Sequence, residues 1–146
     1  MKLLLILLLS YTLQAAGFWT LTGLQKANIY VVNGVSTLEA KTTLAIKKKM
    51  QNSLEKNGIK TKMQDSPTLM VSLEEITDEE NHYVYVKLAL GEEVKTFRAD
   101  KSGTFALTYD SSDFIEVESE DLDREILESI DFLLEQFIEH FKDDKE

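Results

Sequence analysis

His82-Tyr83-Val84-Tyr85-Val86-Lys87-Leu88-Ala89-Leu90 decides how this chain folds. Val84, Val86, Leu88 and Leu90 fall on one side and Tyr83, Tyr85, Lys87 and Ala89 on the other, a period of two that an extended strand matches. Working backwards, Thr68 to Ile76 alternates Leu69, Val71 and Leu73 with Met70 and Ser72, and Pro67 opens it where a missing N–H is tolerated. The polar stretch 77–81 turns the chain between these two strands. Working forwards, Gly91-Glu92-Glu93 reads as a hairpin turn into a strand from Val94 to Arg98. Asp100-Lys101-Ser102-Gly103 reads as a second turn, and Thr104 to Tyr109 as a further strand. Phe114 to Val117 reads as a short strand or an extended approach to the last helix.

Outside this block the period changes. Leu122, Ile126, Leu127, Ile130, Leu133, Leu134, Phe137, Ile138 and Phe141 recur at three and four, with Glu128, Asp131, Glu135 and Glu139 opposite. That predicts a long helix with a wide buried stripe. Ser119 is placed to cap it, and Glu120, Asp121 and Asp123 suit its positive N-terminal end. Towards the N-terminus, Gly23 to Val32 reads as the first strand, broken by Asn33-Gly34. Ser36 and Glu39 have the spacing of a capping box, which predicts a helix from about Thr37 to Asn57. Its expected apolar face is Ala40, Leu44, Ile46, Met50 and Leu54, and Asn57-Gly58-Ile59 supplies a left-handed stop. The elements sum to an α+β fold in the order β-α-β-β-β-α, with two helices packed on one face of a mainly antiparallel sheet of four to five strands.

The N-terminus sets the expected compartment. Met1-Lys2 is a short positive start, Leu3 to Leu9 is an unbroken apolar run, and Ala15-Ala16-Gly17 supplies small residues. That order is the layout of a secretory signal peptide over residues 1–17, with cleavage before Phe18 and one domain over 18–146. The alternative is an uncleaved anchor, since no charge occurs from Leu3 to Gln25. The chain has no cysteine, which excludes disulfides, thiolate zinc sites, cysteine nucleophiles and a lipid-anchored cysteine. Export without disulfides fits a bacterial periplasm better than a small eukaryotic secreted scaffold. The expected location is therefore periplasmic or secreted.

Charge is uneven. Residues 18–64 hold eight lysines against two glutamates, and residues 65–146 hold 24 acids against seven cations, within a whole-chain charge of −10. Nucleic-acid binding needs a basic excess and is not expected. Lys41, Lys48 and Lys49 on the first helix are placed to border Glu128, Asp131 and Glu135 on the last.

The segments Gly23-Leu24 with Ile29-Tyr30-Val31-Val32, Asn57-Gly58-Ile59, Pro67-Thr68-Leu69-Met70-Val71, Tyr83 to Leu90, Val94 to Arg98, Ala106-Leu107-Thr108-Tyr109 and Asp131-Phe132 to Phe137-Ile138 resemble small exported bacterial α+β proteins of unassigned function. The chain departs from that pattern at Tyr109, where a tryptophan follows the threonine. The element order is also similar to the N-terminal domain of the Tol-system periplasmic propeller protein, and to envelope accessory proteins that activate or chaperone other machines. The resemblance implies an interaction module and supplies no site.

Catalytic constellations are not legible. His82 and His140 have no partner histidine at i+3 or i+4, no Gly-x-Ser-x-Gly elbow occurs, and the glycines stand at turns rather than in a phosphate loop. No enzyme activity, cofactor or bound metal is expected. Asp110-Ser111-Ser112-Asp113 and Glu74-Glu75 with Asp78-Glu79-Glu80 are acidic clusters without EF-hand spacing. The aromatic residues Tyr30, Tyr83, Tyr85, Phe97, Phe105 and Tyr109 lie on the predicted strands. With both helices on one sheet face, the other face would carry Tyr83, Tyr85 and Lys87, which are the expected partner-binding residues. The reading is thus a non-catalytic envelope module that binds another envelope protein, with membrane contact only through an uncleaved N-terminal segment. The alternative is a binder of a small apolar ligand or a cation such as calcium, held between helices and sheet.

Overall fold

The computed structural model describes residues 20–61, 67–77, 82–116 and 121–145. The expected signal peptide, residues 78–81 of the expected turn and the expected cap Ser119 lie outside them. The elements are β1 (Asn28–Gly34), α1 (Ala40–Lys56), β2 (Thr68–Thr77), β3 (His82–Lys95), β4 (Gly103–Glu116) and α2 (Leu122–Asp143). Order and class are those the periodicities predict. The strands lie β1-β2-β3-β4 in one sheet, with β1 parallel to β2 and the other two pairings antiparallel. A parallel pair needs a crossover, and α1 is that crossover. Both helices lie on one sheet face, α1 against β1 and α2 against β3 and β4, touching one another.

The core fills the space between these layers. Leu69, Val71 and Leu73 of β2 and Val84, Val86, Leu88 and Leu90 of β3 face Ile130, Leu133, Phe137 and Phe141 of α2 and Ile46, Met50 and Leu54 of α1, all buried. Tyr109 joins them from β4, its ring edge-on to Phe137 at 5.1 Å between centroids. The helix stop also forms as expected. Gly58 takes φ 83, its N–H donates to Glu55 O and the N–H of buried Ile59 to Leu54 O.

Several boundaries differ from the sequence reading, each for a physical reason. Helix α1 starts at Ala40, after an extended Glu39 that makes no side-chain capping bond. Ser36 does not cap it, because its N–H and hydroxyl both donate to Glu75 Oε2, at 2.9 and 3.0 Å. A carboxylate is the stronger acceptor. The buried stripe of α1 is Thr42, Ile46, Met50 and Leu54, while Ala40 is exposed and Leu44 is 66% exposed. Thr42 is tolerated inside because its hydroxyl donates to Asp123 Oδ2 at 2.5 Å. Of the expected interhelical ion pairs, Lys49 meets Asp131 at 2.5 Å, whereas Lys41 turns to Glu39 at 2.8 Å.

Gly91-Glu92-Glu93 is not a turn. Strand β3 runs through it to Lys95, and β4 pairs with it along its whole length. The register steps between Leu90 and Gly91, which pair with Tyr109 and Leu107 and leave Thr108 as the extra residue of a bulge. The Phe105 ring lies over this glycine, with its Cζ 2.3 Å from where a Cβ would stand, so a side chain here would push that exposed ring aside. The segments Thr104 to Tyr109 and Phe114 to Val117 accordingly merge into one strand ending at Glu116.

Candidate functional site

The helices cover one side of the sheet, and among the described residues no element covers the other. Because Val84, Val86 and Leu88 point inwards, Tyr83, Tyr85 and Lys87 point to this outer side, where all three are half-buried. Cross-strand register extends the surface in rows. Ile76 stands beside Tyr83, and Gly34, Glu74, Tyr85 and Phe114 form the next row. Val32, Ser72, Lys87 and Ser112 follow, then Tyr30, Met70, Ala89 and Asp110.

The expected residues therefore share one surface, and their neighbours fix their geometry. The Tyr83 ring stacks on Phe114 at 5.3 Å with 25° between planes, and Tyr85 meets the same ring at 6.4 Å and 50°. Lys87 Nζ lies 3.0 Å from Asp110 Oδ2, both side chains partly shielded by the strands beside them. The result is an aromatic cluster next to an ion pair. Around it Tyr30 (57% exposed), Val32, Ile76, Phe105, Leu107 and Phe114 (55%) present apolar atoms to water. Among the described residues, most of the large exposed apolar side chains lie on this one face; the others are Leu44, Phe97 and Phe132.

The sequence reading missed Phe114, Val32, Ile76 and Leu107 as members. The signal for Phe114 and Leu107 was present but broken. On β4 the outward residues are Phe105 and Leu107 before the bulge and Asp110, Ser112 and Phe114 after it, so odd numbers give way to even ones at Thr108. Two aromatic residues named for the strands are elsewhere. Tyr109 is buried on the helix side, which pushes its hydroxyl pKa up, and Phe97 lies in the β3–β4 turn.

Of the acidic clusters, Asp78-Glu79-Glu80 lie outside the described residues, and the sheet separates the two aspartates of the other. Asp110 points outwards to Lys87, while Asp113 is on the inner parity and accepts the N–H of Phe114 at 2.9 Å. Glu75 is engaged by Ser36 and by His82, whose Nε2 lies 2.9 Å away. The two bonds from Ser36 hold its carboxyl below the ordinary value, partly opposed by burial and helped by His82. Among the described residues no group of three acids or histidines is close enough to hold a metal ion, and no helix is long and apolar enough to cross a membrane.

No protein-family model and no characterised relative matches this chain. Among solved structures it is similar to a minor lipoprotein from Acinetobacter baumannii, at 12% identity over 84% of this chain and 95% of that one. The TM-score is 0.33, a likeness too distant to carry an argument about function.

Proposed function

We propose that this protein is a non-catalytic accessory module of the bacterial cell envelope that binds another protein through the outer face of its sheet. Tyr83, Tyr85 and Lys87 form the centre of the contact, with Phe114 beside them. The observation that carries this reading is the concentration of exposed apolar side chains around one ion pair on one uncovered face. Several large exposed apolar side chains gathered on one face of a small domain are what an interaction surface presents. Aromatic residues are enriched at the centres of such surfaces, with polar groups at the rim. The order of residues over 1–17 supports the envelope location. The missing cysteine, elbow and phosphate-loop motifs support the absence of catalysis.

The test compares the native chain with a Tyr83→Ser, Tyr85→Ser, Lys87→Glu variant, each carrying a C-terminal tag and recovered after crosslinking in the producing cell. The expected result is a stoichiometric partner on the native chain that is lost from the variant, with the thermal melt of the variant still cooperative. The same partner at the same stoichiometry on both chains contradicts this use of the face. Recovery of the native chain alone contradicts the adaptor reading itself.

A further inference from the structure

The sheet has two edge strands, and only one carries devices that discourage further pairing. Strand β4 has a bulge at Thr108 and the acids Asp110, Asp113 and Glu116. Strand β1 has neither. Its sequence, Asn28-Ile29-Tyr30-Val31-Val32-Asn33-Gly34, holds no charge and no proline, and it pairs with β2 without a register shift. Asn28 N–H donates to Pro67 O at 2.7 Å, so the main-chain groups of Asn28, Tyr30, Val32 and Gly34 face β2. Those of Ile29, Val31 and Asn33 face the open side, and among the described residues nothing bonds to them. The side chains of Ile29 and Val31 pack against the core yet stay partly exposed.

The two ends of this edge differ in charge. Lys26 and Lys60 stand at its beginning, where Ala27 N–H donates to Lys60 O at 2.9 Å and Lys60 N–H to Gln25 O at 3.0 Å. Neither lysine forms an ion pair among the described residues. At the other end Gly34 has no side chain, so the exposed Glu74 beside it on β2 is reachable across it. Glu74 has no cation among the described residues either. Past Gly34 the chain turns inwards: Val35 is buried, and Ser36 donates to Glu75 of β2.

We infer that the open edge of β1 pairs with the same edge of a second copy, antiparallel about a twofold axis at Val31. The two sheets then form one. Val31 meets the second copy's Val31 and Ile29 its Asn33, each pair exchanging two main-chain bonds, so every outward group of the edge finds a partner. Three features fit a second copy. The strand is uncharged, so no like charges face each other along it. On the outer face Tyr30 of each copy meets Val32 of the other, an aromatic against a β-branched residue, which is a favourable cross-strand pair. The antiparallel sense also brings Lys26 and Lys60 of each copy to the end where Glu74 of the other is exposed. That is the self-complementary contact a twofold axis makes. Because the chain turns inwards after Gly34, it leaves the edge before reaching Lys60 of the other copy. The pairing leaves Tyr83, Tyr85, Lys87 and Phe114 uncovered and does not rest on their use as a docking face.

The native chain, recovered from the producing cell, should sediment as a dimer that dissociates on dilution. The chain has no cysteine, so an introduced one reports the register. Tyr30→Cys and Val32→Cys are made separately, with Leu44→Cys on the exposed side of α1 as the control. Facing Cα atoms in a non-hydrogen-bonded antiparallel pair lie about 4.5 Å apart, within disulfide reach. Mild oxidation of the two strand variants mixed together should give several-fold more linked dimer than either alone, and the control should give little. Tyr30→Lys with Val32→Lys sets like charges opposite each other twice and should weaken the dimer about tenfold. Mixing these copies with Tyr30→Glu, Val32→Glu copies should restore it. Thermal melts establish that each variant is folded. A native chain that stays monomeric at every concentration overturns the inference. Linking no greater in the mixture than in the single variants overturns the register, and the inference with it. A link that forms only to another envelope protein assigns the edge to a strand of that protein and overturns it too.

Discussion

Replacing Tyr83 and Tyr85 together by serine separates the two faces of the sheet energetically. Each ring is half-buried, and each meets Phe114, which is itself largely exposed. Cross-strand aromatic pairs contribute about 0.2–1 kcal/mol each. Serine also fits a strand less well than tyrosine, by a few tenths of a kcal/mol up to about 1. The double variant should therefore lose about 1–2 kcal/mol. Leu88→Ala, one strand position from Lys87 but pointing inwards and fully buried, should lose about 2–5 kcal/mol through the lost methyl groups and the cavity left behind. A domain of this size has about 5–15 kcal/mol in total, so the double variant stays folded. The assay is urea unfolding followed by far-ultraviolet circular dichroism, with the midpoint shift read at constant slope. A loss above about 4 kcal/mol in the double variant would make the tyrosines part of a core and refute the open face.

Other positions give sharper local tests. Gly58→Ala places a Cβ on a backbone at φ 83 and should cost about 1 kcal/mol or more, seen as a lower urea midpoint, although nothing nearby collides with the new methyl. Thr42→Val keeps the shape but leaves Asp123 without its hydroxyl donor; the expected loss is about 1–2 kcal/mol, partly recovered in a Thr42→Val, Asp123→Ala pair. Glu75 supplies the pH test. Its folded pKa lies below the ordinary carboxylate value of 4.5, so its contribution is fully present above that value and is lost as pH falls through the lower folded one. The stability gap between the native chain and Glu75→Gln should therefore be constant near neutrality and narrow in acid; a gap that widens in acid would contradict the assigned bonds from Ser36.

How much of this was legible in the sequence depended on whether one period ran unbroken. Strand β3 and helix α2 each keep a single period, so their inward residues could be named directly. Strand β4 could not be read as one element because the bulge at Thr108 changes the parity of its outward residues. That change hid Phe114, the residue that joins Tyr83 and Tyr85 into a cluster. Gly91 carried a turn signal, but it stands within a strand beneath the Phe105 ring, a contact between residues 14 apart. The capping role expected of Ser36 was lost to Glu75, 39 residues away, a competition that no local pattern records. Helix α1 was mis-phased because its inner stripe includes the polar Thr42, while the apolar Leu44 is left outside. Local periodicity therefore placed Tyr83, Tyr85 and Lys87 together on the outer face. Long-range pairing supplied their neighbours.

The outer face is tested most directly by position-specific photocrosslinking in the producing cell. A photoreactive residue is placed at Phe114 or Tyr30 on the outer face, and at Leu44 or Phe132 on the exposed sides of the helices. Crosslinks to one discrete protein from Phe114 and Tyr30, and none from Leu44 and Phe132, are what a partner-binding sheet face predicts. Crosslinks to that protein from the helix positions, with the sheet positions silent, would contradict it.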